Sequence, residues 1–150
     1  MIHGEKDDII SCVAAEQITA ALRELEHGIL SDALEYRGGP RAEGIVEMNI
    51  HLFSQGLIRL LRHVKGGYLR ISHDIANEQL VFLIENVGDI PKRELCKVFE
   101  VMRTAGLQPS VEGDYIVLRI EITRTASLAL YNGDEKSLSK IIENEINKYL

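Results

Sequence analysis

From about Asp7 to Glu35 apolar residues return every three or four positions: Ile10, Val13, Ala14, Ile18, Ala21, Leu22, Leu25, Ile29, Leu30 and Leu34. That spacing predicts an amphipathic helix. Arg37, Gly38, Gly39 and Pro40 end it, because glycine suits a helix C-cap and proline cannot continue the hydrogen-bond ladder. A second helix is predicted from about Arg41 to Lys65, on Ile45, Met48, Leu52, Phe53, Leu57, Leu60, Leu61 and Val64, and Gly66 and Gly67 close it. Two such helices with a short link predict an antiparallel helical hairpin.

The period then changes. Tyr68 to Ile75 alternates apolar and polar residues and predicts a half-buried strand, and Gln79 to Glu85 is a continuous apolar run that predicts a more buried one. Ala76, Asn77 and Glu78 supply the turn between them. Pro91 suits the first turn of a helix, where its missing N–H costs nothing. That helix is predicted to run to about Thr104, with Leu95, Val98, Phe99 and Met102 on one face. Gly106 to Gly113 reads as a loop. From Tyr115 to Thr123 two periods compete: Leu118, Ile120 and Ile122 alternate as in a strand, while Ile116, Val117, Ile120 and Thr123 share one side of a helix. A short strand over Ser127–Tyr131 and a terminal helix from Ser137 to Leu150 complete the reading. The expected fold class is α+β, one domain over residues 1–150. A helical hairpin over 1–65 serves as a dimerisation element, and over 66–150 a small antiparallel or mixed sheet carries helices on one face.

Composition narrows the function. At 150 residues the chain can bury a core without staples, and with 5% aromatics and no Trp that core must be aliphatic. The formal net charge of −6 opposes phosphate backbones, so neither nucleic acid nor an anionic membrane is an expected partner. No apolar run is long enough to span a membrane, and Met1 to Ile10 lacks the pattern of a signal peptide. With only Cys12 and Cys96, read as buried free thiols, the expected location is the reducing cytoplasm.

Three stretches resemble a family. Gln55 to Ser72 is similar to the helix and following strand of the catalytic ATPase domain of bacterial sensor histidine kinases. Ile84 to Glu100 resembles the strand, adenine-binding loop and helix that come next. Gly113 to Asn132 resembles the closing helix and strand. The three occur in the family order and cover about half of the chain. In ATP-binding members an asparagine at the end of the first helix holds the nucleotide's magnesium; His63 stands there. An aspartate in an Asp-x-Gly-x-Gly loop accepts the adenine amino proton; Asn86 and Gly88 occupy the start of that loop, and the second glycine is missing. An amide lacks the charge that strengthens such a bond. The glycine-rich phosphate segment is reduced to Gly113. The resemblance thus implies a degenerate nucleotide site, with ATP and magnesium bound weakly or not at all and no cofactor needed.

Leu22 to Leu30 resembles the phosphoacceptor helix of Spo0B-type histidine phosphotransferases, which would make His27 the acceptor, although Gly28 replaces the acidic or amide residue usual after it. The plain alternative is a polar residue on an exposed helix face. His51 and Gln55 lie four apart on a helix, and His73 with Asp74 reads as a solvated pair at a strand end. No histidine has metal-ligand spacing to another ligand. Arg59, Arg62, His63 and Lys65 cluster at a helix C-terminus, where the dipole favours cations in any case. A phosphate site is the sharper alternative.

These features lean away from an enzyme. They point to a signalling or adaptor protein of two-component type, a homodimer that docks a kinase or a response regulator, with phosphotransfer at His27 as an added possibility. The alternative is an acidic, dimeric module like the secretion chaperones, which would hold a secreted partner; a roadblock-like dimerisation module is a more distant third. Residues 116–124 separate the first two: a helix there favours the kinase-like reading and a strand the chaperone-like one.

Overall fold

The computed structural model describes residues 11–64, 67–85, 90–123 and 135–149. The first long helix of the sequence reading divides into three elements: strand β1 (Ser11–Ala14), helix α1 (Ala15–His27) and strand β2 (Leu34–Arg37). The second becomes strand β3 (Ile45–Met48) and helix α2 (Ile50–Leu61). The helical period was therefore read too far at both ends. β1 and β3 pair antiparallel from Ser11 opposite Met48 to Ala14 opposite Ile45, and long-range pairing overrides local preference in such short segments. Asn49 sets the start of α2, since its side-chain oxygen accepts the Leu52 N–H at 3.1 Å. In β2 the alternation of buried Leu34 and Tyr36 with Glu35 and Arg37 has period two, but over only four residues.

Strands β4 (Leu69–Ala76) and β5 (Gln79–Glu85) form the expected hairpin, turning at Asn77 and Glu78 with φ of 53° and 59°. Helix α3 (Lys92–Ala105) follows. The expected loop at 106–113 is instead largely strand β6 (Gln108–Glu112), which pairs with β7 (Tyr115–Glu121). Pro109 is tolerated because β6 lies at a sheet edge. Helix α4 (Glu135–Tyr149) closes the chain, and the strand expected at 127–131 lies outside the described residues. The main sheet has the order β2-β4-β5-β7-β6, parallel only between β2 and β4. The α+β class, with a small mixed sheet and helices packed on it, is as expected.

The hairpin of α1 and α2 is not. α4 packs against both of them, and their apolar stripes lie inside this chain. Ile18, Leu22 and Leu25 of α1, Phe53, Leu57 and Leu60 of α2, and Leu138, Ile142 and Ile146 of α4 are all buried, as are Leu69, Ile71, Phe82, Ile84, Leu118 and Ile120 of the sheet. The surface assigned to dimerisation is thus spent on the core. Cys12 and Cys96 are free, but Cys12 is only half-buried and Cys96 is exposed, because it falls off the Val98–Met102 face of α3. No helix among the described residues is long and apolar enough to cross a membrane.

Candidate functional site

Topology gathers the predicted site residues at one end of the sheet. β2 and β4 run parallel, and α1 precedes one as α2 precedes the other, so both helices finish at the same end. β5 runs back toward that end, where Glu85 lies opposite Arg70 at the start of β4. The β6–β7 turn lies there too, since Ile84 is opposite Ile116. His27, His63 and Gly113 are therefore brought to one end of the fold. Asn86 and Gly88 lie outside the described residues, between Glu85 and Ile90.

Each residue can be read from its surroundings. Gly113 has φ of 63°, which glycine adopts without strain, and no atom lies within 4 Å of where its side chain would be. It is a hairpin turn. His27 is the last residue of α1, its side chain 79% exposed and 3.8 Å from Glu26. A cation suits that helix end and a phosphoryl group would not. His63 is half-buried just beyond α2, and its backbone N–H donates to the Leu60 carbonyl at 3.0 Å.

One turn before His63, Arg59 Nη1 donates to Glu94 Oε1 at 2.8 Å and ties the last turn of α2 to the first turn of α3. That hydrogen bond holds the Glu94 carboxyl below its ordinary range, against partial burial, and the charges of Arg59, His63 and Lys97 add to it. A carboxyl lowered in the fold stabilises above the ordinary carboxylate range, and the stabilisation is lost as pH falls through the lowered pKa. Glu94→Gln should cost no more than about 1 kcal/mol near neutrality, because the pair is partly exposed. It should also flatten the acid limb of stability against pH, as read from urea midpoints across a pH series. An unchanged acid limb would show that the pair is not formed.

Between α2 and α4, polar contacts flank the apolar core. His51 Nδ1 and Glu145 Oε1 are 2.7 Å apart, and the buried Glu145 Oε2 has no hydrogen-bond partner among the described residues. Toward the helix ends Gln55, Ile58, Arg59, Arg62 and Tyr149 line a groove of about 180 Å³. Arg62 Nη2 donates to the Tyr149 carbonyl there.

A buried polar cluster escaped the sequence reading. His73, taken as solvated, is 5% exposed, and Tyr36 is 6% exposed. Tyr36 Oη lies 2.5 Å from His73 Nδ1, and His73 Nε2 lies 2.7 Å from the Pro40 carbonyl. A carbonyl only accepts, so Nε2 carries the proton and Nδ1 accepts from Tyr36 and, at 3.3 Å, from the Gly39 N–H. Burial pushes the Tyr36 hydroxyl well above its ordinary pKa, which keeps it a donor. Every polar atom of the imidazole is used, so the cluster fastens Gly39–Pro40 to β4. The signal was present: His73 shares the parity of Leu69, Ile71 and Ile75 in the alternating stretch.

No group of three possible metal ligands occurs among the described residues. No protein-family model matches the chain, and neither does any curated protein. Solved structures do resemble it. One is the ATP-binding domain of PrrB from Mycobacterium tuberculosis, with 16% identity and a TM-score of 0.52 over 77% of this chain and 99% of that one. Another is the catalytic domain of the histidine kinase ThkA, with 14% identity and a TM-score of 0.50 over 78% of this chain and 97% of that one. The fold is that of histidine kinase catalytic domains. From the sequence, a strand at 116–124 was expected to favour the chaperone-like reading; Tyr115–Glu121 is a strand, yet the fold is the kinase-like one, so this segment does not discriminate as expected, because β7 is the fourth strand of the main sheet rather than the expected helix.

Proposed function

We propose that this chain is a histidine-kinase-like domain that works by binding another protein of a two-component pathway, a kinase or a response regulator, rather than by turning over ATP. The observation that carries this reading is the Arg59–Glu94 pair. It spends a cation and a carboxylate on each other beside His63, where the resemblance puts the magnesium ligand. His63 is itself a poor substitute, since Mg²⁺ takes oxygen ligands in a strict octahedron and an imidazole offers nitrogen. Phosphotransfer at His27 is the weaker part of the proposal. The imidazole is accessible, but the end of α1 disfavours the charge it would take up.

Calorimetric titration with ATP and ADP in the presence of magnesium tests the reading. The expected result is no saturable heat at micromolar nucleotide. Micromolar binding that disappears in Asn86→Ala would mean that the adenine pocket survives and that the non-catalytic reading is wrong.

A further inference from the structure

We propose that the groove between α2 and α4 is a docking slot for an acidic side chain, an aspartate or glutamate presented by an extended segment of the partner. This rests on the reading that the chain binds another protein, and it gives that partner a chemistry. Gln55, Ile58, Arg59 and Arg62 follow the i, i+3, i+4, i+7 spacing, so one face of α2 forms a wall, and Tyr149 of α4 stands opposite. Ile58 is buried and supplies an apolar floor, while the Tyr149 ring is 49% exposed and can pack on side-chain methylenes.

Charge selects the occupant. Arg59 is balanced by Glu94, but Arg62 has only the Tyr149 carbonyl and forms no ion pair among the described residues. A guanidinium carries five N–H donors in a fork that matches a carboxylate, so most of the donors of Arg62 are unspent. The C-termini of α2 and α4 each bring about half a negative charge. Arg62 and Lys148, whose ammonium lies 6.0 Å from the Tyr149 ring centroid, outweigh them. Glu145, one turn earlier on α4, is engaged with His51. The slot is thus a cationic spot on a chain of net charge −6, and an acidic partner would be drawn to it and turned away elsewhere. A volume of about 180 Å³ admits the end of one side chain but not a nucleotide. Arg and Tyr are also the residues that most often dominate binding energy at protein interfaces.

The test is an NMR titration of the full chain, following arginine Nε–Hε signals, with a capped tetrapeptide that holds two glutamates between leucines. A control peptide carries glutamines instead. The glutamate peptide should shift the Arg59 and Arg62 signals saturably, and the glutamine peptide should not. Arg62→Gln should weaken binding about tenfold, as for the loss of one charge-assisted hydrogen bond. Arg62→Lys, which keeps the charge but not the fork, should bind between the native chain and Arg62→Gln, and Tyr149→Ala should weaken binding without unfolding the chain. Equal shifts from both peptides, no shift from either, or inorganic phosphate binding as tightly as the glutamate peptide would overturn the slot. Micromolar ATP binding would sink the functional reading whatever the peptide does, whereas silence from both ATP and peptide would sink the slot alone.

Discussion

Phe53→Ala is expected to cost about 3–5 kcal/mol, the usual range for deleting a fully buried aromatic ring. Phe53 is 1% exposed and lies 6.0 Å, centroid to centroid, from Phe82 of β5 at 37° between the planes, so it joins α2 to the middle of the sheet. The truncation removes both the transfer energy of the ring and its contact with Phe82, and aliphatic neighbours such as Leu57 and Leu60 cannot close the space without leaving their rotamers. Domains of this size are stable by about 5–15 kcal/mol in total, so the variant would sit near the unfolding threshold. Urea denaturation checks it. The midpoint should fall sharply, while Phe53→Leu should lose less than about 1.5 kcal/mol if the pocket repacks. A small loss for the alanine variant would mean that α2 is not held through this ring, and the placement of Arg59 and Arg62 on it would lose its support.

His73→Leu is expected to cost about 1–3 kcal/mol, although leucine is apolar and the site is buried. The Tyr36 hydroxyl is buried and would lose its partner, at a cost of about 1–3 kcal/mol, while the Gly39 N–H and the Pro40 carbonyl belong to exposed residues and can turn to water. Tyr36→Phe should cost only about 1 kcal/mol, because His73 Nδ1 would still accept from Gly39. The order of the two variants, read from their urea midpoints, is the test. If Tyr36→Phe proved the more costly, the imidazole would not be the hub of the cluster. Gly39 is tied to the same arrangement: a β-carbon there would lie 1.9 Å from the His73 backbone oxygen, so no other residue fits while the chain runs this close to β4.

The sequence was most legible where the period was long and unbroken. The β4–β5 hairpin, α3 and α4 were found within a residue or two of their ends, because a buried strand and an amphipathic helix each write their pattern over seven or more positions. It was least legible at β1, β2 and β3. Each has four residues, and each owes its conformation to a partner distant in the chain: Val13 to Val46, Tyr36 to Ile71. Over four residues Val13, Ala14, Leu34 and Ile45 satisfied a helical spacing as well as an alternating one. At the candidate site the residue types were legible and their pairing was not. Arg59 and Glu94 are 35 positions apart, and no local pattern joins them.

The sequence by itself determined the α+β class, the acidic surface, the aliphatic core and the resemblance to histidine kinase catalytic domains. The first three follow from composition and from periodicity that survives any arrangement of the elements, and the resemblance rests on the stretches 55–72, 84–100 and 113–132. Tertiary structure alone decided that α4 packs against α1 and α2 in place of a helical hairpin, that Glu94 occupies Arg59, that His73 is a buried hub and that Arg62 faces a groove lined by no carboxylate among the described residues. Those facts depend on which faces meet across the fold. That is settled by the collective burial of apolar surface and the pairing of buried polar groups, neither of which is encoded in any one stretch of chain.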